Sequence, residues 1–342
     1  SNIKYNLKPK SVFIIAEVGQ AHDGSLGILH SYIDALAETG VNAVKFQTHI
    51  AEAESSVYEP FRTKFSYVDK TRYDYWERME FSLDQWKEIK SHCDEVGIEF
   101  MSSPFSNKAV DLLEEVGVKR YKVGSGEINN FLLLEKIALT RKPIIISSGM
   151  SSLSEITEAI RFLEPFGNKV SLLQCTTSYP TKPGQWGLEI ITQLKEKFSI
   201  PIGFSDHSGI VHSSIAAVAL GAEIIEFHIV FNKKIFGPDS KASLNFDQTN
   251  QLVSAIRDLE TEFSIEHNKN IDDNLTKLKT MFEKSLSINT DLKKGHVITF
   301  NDLEAKKPKG YGINANEFKK VIGKQINSNM SQWSFLNWDN LS

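Results

Sequence analysis

Two histidines, His207 and His228, each stand at the polar end of a short apolar run, in Ser205-Asp206-His207 and Glu226-Phe227-His228. A carboxylate, Glu17, closes the first apolar run of the chain in the same way. Two imidazoles and a carboxylate brought to one place suit a divalent metal that keeps coordination positions open. A lone histidine reads more simply as a hydrogen-bonded core or surface residue, so the metal reading rests on the pair at matched run ends. Of the remaining histidines, only His22, in the loop after the first run, invites the same question.

Two lysines, Lys45 and Lys122, lie inside apolar runs, where an unpaired ammonium group is almost never buried. Pointing into a common mouth, they call for an anion, and nearby serines and backbone N–H groups would complete a phosphate or carboxylate site. The simpler alternative pairs each lysine with a carboxylate such as Glu17 or Glu127. A third option makes Lys122 a Schiff-base amine, as in an aldolase that needs no metal. Glu127 and Asp239 are candidates for contacting substrate hydroxyls or moving protons. Tyr179 is a candidate for stacking on a sugar, with plain packing as its alternative.

The elements that must position these groups alternate. Eight β-branched or apolar runs begin at Val12, Ala43, Glu99, Arg120, Pro143, Val170, Ile200 and Ile224, and helix-like spacing fills the intervals. An eighth helix is expected from about Phe246 to Phe263. Eight strand–helix units over about 250 residues predict an α/β fold of the (β/α)8 TIM-barrel type, whose catalytic groups gather at the C-terminal ends of the strands. A doubly wound sheet competes. Its Gly-rich phosphate turn after strand 1 is replaced here by Val18-Gly19-Gln20-Ala21-His22-Asp23-Gly24. Every expected strand ends in polar groups, including Gln47, Ser103, Ser125, Ser147 and Ser205. One mouth lined in this way is hard to explain by packing alone.

The 342 residues are 41% hydrophobic and 24% charged, with a formal net charge of −4, a globular composition without a basic footprint for nucleic acid. No apolar stretch is long enough to span a bilayer. The opening Ser1-Asn2-Ile3-Lys4-Tyr5 lacks the plan of a secretory signal, and Ser1-Asn2 reads as a tag remnant. Two cysteines, Cys93 and Cys175, do not make a disulfide framework, so a cytoplasmic protein is expected. The barrel is assigned to residues 1–263, a polar linker to 264–281 and a small module to 282–342. That module is near the lower limit for independent stability, so docking is expected. The segment from His49 to Leu83 is unusually long and rich in aromatics: Phe61, Phe65, Tyr67, Tyr73, Tyr75 and Trp76. It reads as a subunit-contact flap, with a substrate lid as the alternative.

Taken in order, several segments resemble the sialic acid synthase family, which includes legionaminic and pseudaminic acid synthases and spore-coat polysaccharide proteins. They are Ile14-Ile15-Ala16-Glu17-Val18-Gly19-Gln20, Val44-Lys45-Phe46-Gln47, Tyr121-Lys122-Val123-Gly124-Ser125-Gly126-Glu127, Ile146-Ser147-Ser148-Gly149-Met150, Gln174-Cys175-Thr176 with Tyr179-Pro180, Gly203-Phe204-Ser205-Asp206-His207 and Glu226-Phe227-His228 with Gly237-Pro238-Asp239. The tail, through Lys309-Gly310-Tyr311 to Ile322-Gly323-Lys324, is similar to the antifreeze-like (β-clip) domain of those enzymes. The resemblance implies condensation of phosphoenolpyruvate with N-acetylmannosamine or its 6-phosphate, giving N-acetylneuraminate or its 9-phosphate and phosphate. It further implies a Mn2+ or Mg2+ ion on His207 and His228, with Glu17 beside it placing water. Lys45, Ser103, Lys122, Ser125, Ser147 and Ser205 would hold phosphoenolpyruvate; Gln47, Glu127, Tyr179 and Asp239 would hold the sugar. A homodimer is implied, with the small domain of one subunit covering the other's barrel mouth. Two positions depart from the family pattern. Thr177 stands where many bacterial members have Asn. Lys307-Pro308-Lys309 replaces an Arg-Pro-Gly segment, removing a bidentate donor for the sugar and resembling synthases that use the phosphorylated sugar.

Overall fold

The structure is a computed structural model that describes residues 8–62 and 67–342; Phe65 and the opening Ser1–Tyr5 segment lie outside the described residues. Contacts divide the chain into two compact units, residues 1–265 and 266–342.

The first unit is the expected barrel. Its strands are β1 (Phe13–Gly19), β2 (Ala43–Thr48), β3 (Glu99–Pro104), β4 (Tyr121–Val123), β5 (Ile144–Ser147), β6 (Val170–Cys175), β7 (Ile202–Asp206) and β8 (Ile224–His228). Parallel ladders run in the order β3-β2-β1-β8-β7-β6-β5-β4, and β3 packs beside β4 to bring the sheet round to near closure. A doubly wound sheet does not have this order. Helices follow the strands, several begun by Ser or Asn caps with reciprocal capping boxes, at Ser82, Ser152 and Asn245.

Strand periodicity sets the site. An inner layer of Ile15, Ala43, Met101, Ile145, Leu173 and Ile224 fills the barrel. Two residues further along the same strands stand Glu17, Lys45, Ser103, Ser147, Cys175 and Glu226. Side chains two apart share a face, so each of these polar groups points inward above an apolar floor. Apolar residues on the outward faces pack against the helices in a much larger core.

Residues 266–342 form their own unit. The segment read as a linker carries a helix, Asp273–Phe282, and belongs to this unit. Two antiparallel strands, β9 (Ser285–Ile288) and β10 (Leu303–Lys306), cover a small core that includes Leu286, Ile288, Ile298, Ile313 and Leu336.

Gly203, in β7, tests how tightly the barrel closes. A Cβ there would run into the Ile224 carbonyl of β8 and the Leu173 side chain. Overpacking of this kind costs about 1–3 kcal/mol or more. Gly203→Ala is therefore expected to lower the unfolding free energy measured by urea titration by that amount without changing the helix content seen by circular dichroism.

Candidate functional site

The C-terminal mouth of the barrel holds a cavity of about 500 Å3, lined by Glu17, Lys45, Gln47, Ser103, Lys122, Ser125, Glu127, Ser147, Tyr179, Ser205, His207, His228 and Asp239, all expected there from the sequence, but not by His22. Strand register explains the convergence. Glu17 pairs with Lys45 on one side and His228 on the other, and Gln47 pairs with Ser103.

At the base, both lysines are 2% exposed and share one carboxylate, Glu226. Lys45 Nζ lies 3.0 Å from Glu226 Oε2 and 3.3 Å from Glu17 Oε1; Lys122 Nζ lies 3.3 Å from Glu226 Oε1. Ser205 Oγ donates to Glu226 at 2.8 Å, and Lys45 donates to Ser103 Oγ at 3.3 Å. Burial alone would raise the Glu226 pKa, but Lys122, Lys45 and Ser205 outweigh it and hold the carboxyl well below its ordinary range. Glu17 behaves alike: burial opposes its charge, while Lys45 and His228 keep its pKa below the ordinary value. Burial pulls on Lys45 too, yet Glu17 and Glu226 push it up to about 12. On Lys122 burial wins over Glu226 and lowers the pKa.

Beside the lysines, Ser147 Oγ and Thr177 Oγ1 are buried in the cavity wall without a hydrogen-bond partner among the described residues. Gly149 N donates to Ser125 Oγ at 3.1 Å, and a Cβ on Gly149 would collide with Thr177 and Ser125. Two ammonium groups, orphaned hydroxyls and a backbone kept bare by glycine make a cradle for an anion with several oxygens.

The imidazoles stand on the opposite wall. The ring centroids of His207 and His228 are 5.3 Å apart, and His228 Nε2 lies 3.3 Å from Glu17 Oε2. Burial, reinforced by His228, pushes the His207 pKa down to about 3, so this ring stays neutral and keeps a lone pair for a cation. Among the described residues no group of three or more His, Cys, Asp or Glu side chains forms a metal cage. His207 and His228 would hold a divalent ion only together with oxygens from outside the pair. Cys175 Sγ lies 3.6 Å from His207 Nδ1, and burial raises its pKa to about 11, so it is a thiol.

The outer wall carries Tyr179, Asp239 and Glu127. Arg62 stacks over Tyr179, its Cζ 4.3 Å from the ring centroid, and reaches Asp239 Oδ1 at 3.4 Å. Asp239 Oδ2 is 3.8 Å from His228 Nδ1. Glu127 accepts from Asn130, and burial raises its pKa. The lysines do pair with carboxylates, as the simpler sequence reading allowed, but the shared partner is Glu226 rather than Glu127. Sequence reasoning passed over Glu226 as a site residue, although it precedes His228 by two and so must share its face. It also passed over His49, Glu54, Glu59, Arg62 and Trp76, which the long 49–83 segment contributes to the cavity wall. His22 has a local role: its Nδ1 accepts from Gly24 N at 3.0 Å and its ring lies against Phe81.

The match to known proteins decides the family. The model of the NeuB family matches residues 32–267. The chain belongs to the NeuB family. Its members are synthases that condense phosphoenolpyruvate with a sugar to make nonulosonic acids. The chain is 36% identical to the N,N'-diacetyllegionaminic acid synthase of Campylobacter jejuni, over 94% of this chain and 98% of that protein. It is 34% identical to the human N-acetylneuraminate-9-phosphate synthase, over 92% of this chain and 88% of that protein. Among solved structures, the N-acetylneuraminic acid synthetase of Leptospira borgpetersenii in complex with citrate superposes with a TM-score of 0.69 at 29% identity, covering 78% of this chain and 90% of that one. This NeuB-family chain is thus an enzyme of the phosphoenolpyruvate-dependent, C–C bond-forming type.

Two outcomes follow from the electrostatics. Removing one partner of a buried charge cluster typically costs about 3–5 kcal/mol, so Glu226→Gln is expected to lose that much in urea unfolding at neutral pH. Burial also pushes the His22 pKa down to about 3, against an ordinary value of 6.5. Between those values the unfolded chain takes up a proton that the folded chain refuses, so stability falls as pH drops below 6.5. In His22→Asn, which can still accept from Gly24 N, the unfolding midpoint should fall less steeply between pH 7 and pH 5 than in the unaltered protein.

Proposed function

We propose that this enzyme condenses phosphoenolpyruvate with an N-acetylmannosamine-type amino sugar, or its 6-phosphate, to give N-acetylneuraminate or its 9-phosphate. The observation that carries this is the pairing, within one cavity, of a two-lysine anion cradle with two imidazoles suited to a cation. One specific observation favours a second product. The relatives that are 36% and 34% identical over nearly the whole chain are named N,N'-diacetyllegionaminic acid synthases, so a sugar with two acetamido groups is the next candidate. Pseudaminic acid is a third, through relatives at 32% and 31% identity.

Lys45 and Lys122, with Ser103, Ser125, Ser147 and Ser205, hold the carboxylate and phosphate of phosphoenolpyruvate and fix its enol carbon against the open-chain sugar. Gln47, Glu127, Tyr179 and Asp239 hold the sugar, with its aldehyde toward His207 and His228. His207 and His228 would hold a divalent ion, manganese or magnesium, which would supply Lewis-acid polarisation of the aldehyde oxygen. The C2–C3 π pair of phosphoenolpyruvate forms the new bond to the aldehyde carbon, whose oxygen takes a proton from solvent water. Glu17, beside both poles, orients water onto the cationic C2 and accepts its proton. The tetrahedral intermediate then expels phosphate by C–O cleavage and leaves the ketone of a 2-keto acid. The protein is taken to work as a homodimer whose antifreeze-like small domain covers the partner's barrel mouth, in a cytoplasmic setting. No described helix is long and apolar enough to cross a membrane.

A Schiff-base aldolase has one observation in its favour, the lowered pKa of Lys122. Against it, that amine is tied to Glu226.

The deciding experiment is phosphate release from phosphoenolpyruvate across a panel of N-acetylmannosamine, its 6-phosphate and di-N-acetylated 6-deoxy sugars. Release is expected with at least one and to stop with EDTA; in 18O water the label should enter the keto acid and not the phosphate. Release that survives EDTA, or labelled phosphate, removes the mechanism. Borohydride trapping of pyruvate on Lys122 would replace it with the aldolase. Lys122→Ala should lower kcat/KM about a hundredfold or more, as loss of one preorganised electrostatic partner does.

A further inference from the structure

Two arginines of the 49–83 segment stand in the cavity wall, and the structure uses them differently. Arg72 is committed to its own segment. Its Nε donates to Glu59 at 3.2 Å, its Cζ lies 4.4 Å from the Trp76 ring centroid, and its side chain is 10% exposed. Arg62 is 40% exposed and reaches out of the segment to the loops after β6 and β8. Its Cζ lies 4.3 Å from the Tyr179 ring centroid, and its Nη2 donates to Pro238 O at 3.2 Å and to Asp239 Oδ1 at 3.4 Å. Its Nε and Nη1 have no acceptor among the described residues.

A guanidinium can lie flat on a ring and still donate from its edge. Arg62 does so: Tyr179 takes its face, one nitrogen spans Pro238 and Asp239, and the rest of the edge is open. These contacts are not what anchors the segment. Tyr75 OH donates to Gln20 Oε1 at 2.8 Å and Arg78 Nη1 to Asp23 Oδ1 at 2.9 Å, both in the loop after β1. Arg62 is also one side chain removed from each imidazole. Through Tyr179 it meets His207, whose ring centroid is 4.6 Å from that of the tyrosine. Through Asp239 it meets His228, whose Nδ1 is 3.8 Å from Oδ2. A sugar with its aldehyde at the imidazoles has its remaining oxygens within reach of that open edge.

We infer that Arg62 is a specificity-determining residue whose free guanidinium edge donates to an oxygen of the amino sugar beyond the aldehyde end. Tyr179 and Asp239 brace the guanidinium for that contact. The oxygen belongs either to a phosphate on the sugar or to a neutral hydroxyl or acetamido group; a guanidinium suits both. Phosphoenolpyruvate, held at the lysine base, does not touch Arg62. The inference rests on the synthase reading above.

The test is steady-state phosphate release by the full chain. Arg62→Met still packs on Tyr179. It should raise the KM for the amino sugar about tenfold or more, the scale of losing a hydrogen bond to a charged group, with the KM for phosphoenolpyruvate within about twofold. Arg62→Lys keeps the charge and a donor for Asp239 but not the planar fork, so it should stay closer to Arg62→Met than to the unaltered enzyme. A loss confined to the 6-phosphate assigns a phosphate oxygen to the guanidinium. An equal loss on phosphorylated and unphosphorylated sugars assigns a hydroxyl or acetamido oxygen. Unchanged sugar KM in Arg62→Met, full recovery with lysine, or both KM values rising together overturns the inference and leaves Arg62 a tether between loops. If Arg62→Met does not fold, the sugar KM of Arg62→Lys decides alone: raised supports the contact, unchanged removes it. An unaltered enzyme that releases phosphate with no sugar of the panel sinks the synthase reading itself, an outcome distinct from an active enzyme indifferent to Arg62.

Discussion

One carboxylate, Glu226, makes the centre of this barrel possible. Two ammonium groups within reach of each other inside a folded protein repel, and each loses its hydration. Glu226 lies between them, in contact with both, and Ser205 donates to it. Glu17 adds a second negative charge on the Lys45 side. Two lysines against two carboxylates leave the base of the cavity close to neutral. An incoming anion therefore meets a satisfied network and binds only by outcompeting Glu226 for the ammonium groups. A ligand with both carboxylate and phosphate can do so with several oxygens at once, helped by the unpartnered hydroxyls of Ser147 and Thr177. A simple monoanion has too few acceptors to repay the rearrangement.

The fold turns that local arrangement into a rigid one. Glu17, Lys45, Ser103, Ser147 and Glu226 each stand two residues beyond an apolar floor residue on their strands, so pleat and register aim them without loop involvement. Sites held on strands vary less in geometry than sites held on loops. Loops supply the outer wall instead, where Arg62, Tyr179 and Asp239 contact one another.

The barrel was legible because its apolar runs and helix spacings repeat eight times, and because each run ends in a polar residue. Boundaries were less legible. β1 continues through Glu17 to Gly19, and β7 runs from Ile202 through Asp206, past the apolar runs that announced them. Functional residues there replace the hydrophobic signal with polar groups. The lysines were legible as buried charges in need of a partner, but not which carboxylate met them. That depends on the inward parity of Glu226 and on the register that sets β8 beside β7, with Ser205 opposite Glu226. The parity was readable from His228 two residues on; the register was not. Arg62 was illegible for another reason. Its place comes from stacking and hydrogen bonds made by a long inserted segment, and no periodicity encodes those contacts.

Glu17 joins the two poles of the cavity. One of its oxygens is 3.3 Å from Lys45 and the other 3.3 Å from His228. An anion on the lysines and a cation on the imidazoles would therefore lie on either side of one carboxylate. The cation pole can work only if its imidazoles are uncharged while ammonium groups stand nearby. Burial achieves this at His207, where desolvation is the largest influence and outweighs the opposing pull of Glu226 and Glu17. The ammonium groups need the opposite balance, which Glu226 provides by direct contact. A single low-dielectric cavity thus holds a neutral His207 and charged lysines a few ångströms apart, because the carboxylates touch the lysines directly and act on His207 only from further off.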